Sequence, residues 1–289
     1  VKYSISRFIV SNIIKNIFPR KGTEYFVLVG FILVLLIILM AIFAPFIAPY
    51  DPIKKVGEIL ERPSGKFLLG TDGLGRDVLS RIIFGARTAV LVTFLAVSIS
   101  LSFGVLLGLL SGYTGGKFDT VFSLVMDAMY SFPGLILAIV LAAMLGPGIL
   151  NTAMAIAVIY TPTYFRMVRG LVLSLKESLF VEAARAIGAK DRTIVFKYIF
   201  PNVISSIPIV LSLNAADAVL TLAALSFLGL GLPAPTPDWG FDLRAGHAYL
   251  ASRIWWPSTF PGLMIVILTL GFSLLGEGLN EILNPELRR

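Results

Sequence analysis

The sequence has no cysteine and a single histidine, His247. Disulfides, thiolate nucleophiles and cysteine-based metal sites are excluded, and one imidazole cannot build a multi-histidine metal centre. Charge is scarce too. Only 14% of the 289 residues are Asp, Glu, Lys or Arg, against about 25% in an ordinary soluble domain. No phosphate loop ending in Gly-Lys-Ser/Thr, no H-E-x-x-H and no G-x-S-x-G occurs. The chain is therefore expected to hydrolyse no ATP by itself, to bind no cofactor or metal, and to be no enzyme. The formal charge of +7 is spread over membrane-flanking segments, which points to anchoring on anionic lipid and away from nucleic acid.

What is abundant is apolar sequence, at 57% of residues. No charge occurs between Tyr25 and Tyr50. That run exceeds a secretory h-region of about 7–15 residues and reads as a retained span ending near Ala44-Pro45. About six spans are expected from length: Tyr25–Phe43, Thr88–Leu110, Thr120–Leu145, Leu150–Leu171, Ile204–Leu230 and Phe260–Leu279. The expected fold is an all-α membrane protein with both termini cytoplasmic. Its parts would be an N-terminal segment (1–24), a first span (25–44), an external loop (45–87), a five-helix core (88–283) and a tail (284–289). Counting Lys and Arg under that topology puts 15 of the 24 inside and seven in the loop from Asp51 to Arg87.

One inner segment is unlike a turn. Val181–Asn202 is charged and amphipathic, and it lies between two apolar segments. Phe180–Ile187 is expected to form two helical turns, with Val181, Ala184 and Ile187 on one side and Glu182 and Ala186 turned away. Arg185 falls at the boundary, and Gly188 is placed to cap the helix. A second short helix is expected from about Asp191 to Phe200, with Pro201 ending it or beginning the next span. Ala183 and Ala184 would allow close approach of a partner, and Glu182 and Arg185 offer charge. The competing reading is an interfacial helix lying on the inner leaflet.

Glu182-Ala183-Ala184 followed by Gly188 and Pro201 resembles the EAA loop of ABC importer permeases. In that family the loop forms coupling helices seated in a cleft of the cytoplasmic ATPase. Leu69–Arg87, Met126–Gly148, Leu225–Gly240 and Trp256–Leu287 are similar to segments of the C-type permease subunit of dipeptide and oligopeptide importers. Leu222, Glu277 and Asn280 depart from that pattern. The resemblance implies a heterodimer with a B-type sister permease in a prokaryotic inner membrane. It also implies two cytoplasmic ATPases using ATP with magnesium, and an external solute-binding protein. The ATPase-coupling residues would be Glu182, Ala183, Ala184, Arg185, Gly188 and Pro201. Similar permeases carry nickel chelates, glutathione or sugars, so the solute stays open.

Two carboxylates lie within spans, where an ionisable group marks function by default. Asp127 is expected to make a helix–helix or gate contact. Asp217, with Asn214 one turn before it, either faces a hydrated pathway or bonds a neighbouring helix. Trp239, Trp255 and Trp256 read as interfacial aromatics before ligand-stacking groups. Gly70, Gly73 and Gly75 read as a structural turn before a short amphipathic helix, Arg76–Phe84. An ion-coupled secondary transporter is the rival class, and the docking segment has no role in it.

Overall fold

The computed structural model describes residues Thr23–Leu283. Most of the expected N-terminal segment 1–24 and the tail 284–289 lie outside the described residues. The helices are α1 (Thr23–Ile47), α2 (Val78–Thr114), α3 (Gly116–Ser131), α4 (Gly134–Leu145), α5 (Ile149–Lys176), α6 (Leu179–Ala186), the continuous helical run α7 (Asp191–Phe227), α8 (Trp239–His247) and α9 (Trp256–Leu283). No named strand occurs among the described residues. Four helices are long and apolar enough to cross a membrane, namely α2, α7 and the major parts of α1 and α9; the bent pair α3–α4 would be a fifth. The sixth expected span, α5, has 28 residues, but Asn151, two prolyl-flanking threonines and its tyrosines dilute its apolar character. Its buried face is what holds it in the bundle.

Two expected boundaries are corrected. The helix that holds the second expected span starts at Val78, ahead of Thr88. Arg76–Phe84 is thus not a separate helix, since its residues from Val78 onward form the first turns of α2. The cause is an N-cap: Asp77 Oδ2 accepts from the backbone N–H of Ser80 at 2.8 Å and from its hydroxyl at 2.6 Å. The third span is not one helix. α3 and α4 meet at 98°. Phe132 is extended, with φ −83° and ψ 141°, because the residue before a proline is pushed out of the helical region, and Pro133 then opens α4.

α2 and α5 pack backbone to backbone. A Cβ on Gly104, Gly108 or Gly112 would lie 2.5–2.9 Å from Tyr164, Phe165 or Val172. In lipid, where burial of apolar surface against apolar tails gains little, such close approach of small residues carries much of the association. Gly30 of α1 and Gly271 of α9 do the same across that pair. The chain between α1 and α2 folds into a cap over the start of α2 and α9. Phe67 and Thr71 are fully buried there, and the Trp256 indole donates to the Thr71 carbonyl at 3.1 Å. Trp239 likewise donates to the Ile82 carbonyl at 2.9 Å. Both indoles are buried, at 3% and 4% exposure, so neither is an interfacial or ligand-stacking residue; only Trp255 is exposed.

Candidate functional site: an elbow at one end of the bundle

At the end remote from the cap, α5 passes into a short amphipathic helix and then turns back into α7. Ser178 is extended and opens α6, and its backbone carbonyl accepts from Val181 and Glu182. Glu182 in the first turn and Arg185 in the last each sit at the helix end whose partial charge they oppose. α6 closes on a left-handed glycine. Gly188 has φ +81°; its N–H donates to the Arg185 carbonyl at 2.9 Å, and the Ala189 N–H reaches back to Ala184 at 3.0 Å. These two bonds are the Schellman pattern, which satisfies carbonyls a helix end would otherwise leave free.

The buried face of the elbow is apolar. Val181, Ile194, Ile199 and Val203 are fully buried and pack with Leu109 of α2 and Val168 and Val172 of α5. Outside the bilayer, burying a side chain of this size contributes about 1.5–3 kcal/mol, so the elbow is fastened to the bundle rather than hanging from it. The end of α2 holds both of its arms. The Tyr113 hydroxyl donates to Asp191 Oδ1 at 2.5 Å, and the Arg185 guanidinium lies over the Tyr113 ring at 6.0 Å.

The opposite face is open. Glu182, Ala183, Arg185, Ala186 and Gly188 are exposed, and Leu179 and Ile187 stand 83% and 81% exposed beside them. Two expectations change here. Ile187 does not join Val181 and Ala184, because the helix ends at Ala186 and Ile187 swings out as the C-cap. Ala184 is 4% exposed and faces the bundle, so of that alanine pair Ala183 alone faces outward. Pro201 does not end the second arm, which runs unbroken into the next span. It sits in the first turn of the segment Phe200–Val203, directly after a π-helical stretch, Ile194–Ile199. Pro201 has no N–H to return to the preceding turn, and the wider turn before it lets the helix run on.

The three candidate pathway residues are not brought together. Asp127 accepts from Arg166 Nη2 at 2.7 Å, and that guanidinium stacks over Tyr130 at 4.1 Å; this is the helix–helix contact expected of it. Asn214 is 5% exposed and turned into the bundle, with its amide nitrogen lacking a hydrogen-bond partner among the described residues. Asp217 is on the exposed flank of α7, between the exposed Leu213 and Leu220, and its carboxylate has no ion pair among the described residues. Beside it, Tyr160 and Thr221 share a hydrogen bond of 2.9 Å.

Sequence reading missed the tightest polar contact of this half. Arg169 of α5 grips Asp119 of α3 with two nitrogens, Nε to Oδ1 at 2.5 Å and Nη2 to Oδ2 at 2.7 Å, and the Ser111 hydroxyl donates to the same carboxylate. Arg166 and Arg169, one turn apart inside a long helix, were the available signal, since such cations need partners nearby. No cluster of metal-ligating side chains occurs among the described residues.

Residues 104–289 match the family described as binding-protein-dependent transport system inner membrane component. Residues 26–61 match the N-terminal TM domain of oligopeptide transport permease C. The di/tripeptide transport system permease protein DppC of Pseudomonas aeruginosa is 40% identical over 266 residues, covering 90% of this chain and 88% of the relative. The dipeptide transport system permease protein DppC of Alkalihalophilus pseudofirmus is 40% identical over 279 residues, 95% and 90% of the two chains. The glutathione transport system permease protein GsiD of Escherichia coli is 39% identical over 273 residues, 93% and 89%.

Proposed function

The chain belongs to the family of binding-protein-dependent transport system inner membrane components, a multi-pass membrane permease, and from that premise we propose that it forms half of the pathway of an ATP-driven importer for dipeptides and oligopeptides. A sister permease of B type supplies the other half. Two cytoplasmic ATPases, using ATP with magnesium, dock against the elbow, and an external solute-binding protein delivers the solute at the cap end. Both termini lie inside under this arrangement.

The observation that carries the proposal is the elbow's two-sidedness. One face is locked into α2 and α5, and the other presents Leu179, Glu182, Ala183, Arg185 and Ile187. A movement imposed on the open face is passed to the spans, because α6 and α7 share their buried residues with α5 and α2. The peptide assignment draws on the relatives named as dipeptide and di/tripeptide permeases; glutathione, itself a small peptide, is the second reading because of the relative named for it. Proteoliposomes holding the complete complex test both. Labelled dialanine should accumulate with ATP and not without it, and excess glutathione should leave that uptake intact. Accumulation of glutathione but not dialanine would move the substrate. Uptake on an ion gradient with no ATPase present would reject the importer reading.

A further inference from the structure

At the cap end, a cavity of about 280 Å³ lies between the cap, the start of α2, and helices α8 and α9. Its polar wall is made by Asp72, Arg76, Arg81, Asp242 and Tyr249. Most of these groups are saturated. Arg81 Nε bonds both Asp242 oxygens at 2.9 and 3.0 Å, its Nη2 bonds Oδ1 at 2.6 Å, and its Nη1 donates to the carbonyls of Pro52 and Pro235. Burial pushes the Asp242 carboxyl up, against the opposing pull of the Arg81 guanidinium bonded to it. Asp72 accepts from the backbone of Leu74 and Arg76 at one oxygen and from Arg76 Nε, at 2.6 Å, at the other.

Arg76 is the exception. Its side chain is 7% exposed, yet only Nε is bonded; no described residue accepts from Nη1 or Nη2. The Tyr249 hydroxyl is the other donor without an acceptor among the described residues. It lies over Gly73, where a Cβ would come within 2.4 Å of it. Both nitrogens are free to donate to a ligand in the cavity that Arg76 lines. The two arginines and two aspartates cancel in formal charge, so the cavity does not gather anions by field. What remains is geometry: the planar Nη1/Nη2 fork matches the two oxygens of a carboxylate.

We propose that this cavity is a binding site for a small carboxylate, held by the Arg76 fork with the Tyr249 hydroxyl as a further donor. The volume suits one or two amino-acid units, and the carboxylate is that of a free monocarboxylate or the C-terminus of a small peptide. The site is independent of ATP and of the elbow, so its failure would leave the transport reading untouched.

The test uses the full chain in nanodiscs, titrated with dialanine, dialaninamide and acetate. Trp256, bonded to the cap through Thr71, reports both binding and folding by its fluorescence. Dialanine should bind and dialaninamide should not. Arg76→Gln should weaken binding by about tenfold or more, the loss expected of a charge-assisted hydrogen-bond pair. Ala245→Leu fills the cavity without touching the ion pairs and should abolish binding with the thermal melt unchanged; it decides the matter if Arg76→Gln loosens the cap. Equal binding of acetate and dialanine identifies a free carboxylate as the ligand, and binding of dialanine alone identifies a peptide terminus. Equal binding of dialanine and dialaninamide, no binding at all, or wild-type binding by Ala245→Leu would overturn the proposal.

Discussion

Asp217 stands on the outward flank of a membrane-spanning helix with leucines on either side and, among the described residues, no cation paired with it. An ionised carboxylate at that depth needs water or a counter-charge. Under the proposed function, a hydrated pathway carrying a peptide ammonium would supply both. Asp217→Asn should lower uptake by about tenfold, the factor corresponding to 1.4 kcal/mol of lost interaction, with complex assembly unchanged on gel filtration; unaltered uptake would remove Asp217 from the pathway. Gly188 offers a cleaner case. Nothing lies within 4 Å of where its Cβ would be, yet its φ is +81°, so Gly188→Ala should cost about 1 kcal/mol from backbone strain alone. A thermal melt of the purified chain checks it. Gly188 was legible in the sequence because a glycine two turns after a helix start has few other uses. Ile187, next to it, was misjudged, because helical periodicity says which face a residue takes only while the helix lasts, and α6 ends one residue earlier.

At the scale of elements, the apolar runs announced α1, α9 and the apolar parts of α2 and α7, since lipid demands long uninterrupted helices; that α7 runs on unbroken from Asp191 was not read. The 98° break between α3 and α4 was not read, although Phe132-Pro133 stands at it. A proline inside an apolar run either kinks or is absorbed, and α5 and α9 absorb Pro162 and Pro261. Neighbouring packing makes that choice, and packing is not local. The α2–α5 contact was missed for the opposite reason: glycines four apart carry no hydrophobic signal at all. Gly108→Ala would bring a Cβ within 2.7 Å of the Phe165 carbonyl oxygen and should destabilise the bundle by about 1–3 kcal/mol. Gly170→Ala, on the α5 side with nothing within 4 Å, should be neutral or slightly stabilising, because alanine is the better helix former. Thermal melts of the two variants in detergent check the pair, and equal losses would contradict the packing account.

For the molecule as a whole, polar chemistry is concentrated at the two ends. The cap end holds the Arg81–Asp242 and Arg76–Asp72 pairs. The elbow end holds the Arg169–Asp119 grip and the open face of α6. Between them the helices pack through close glycine contacts and an apolar core. Under the proposed function, a push at the elbow would be passed to the spans through the apolar residues that the elbow shares with α2 and α5. The absence of cysteine from the whole sequence makes the most direct test clean. In the complete complex, a single Ala183→Cys on the open face of α6 should cross-link through a short bifunctional reagent to an ATPase subunit, while Ala184→Cys, one residue on and buried, should not. Failure of Ala183→Cys to cross-link, with Leu74→Cys at the cap doing so instead, would contradict the account.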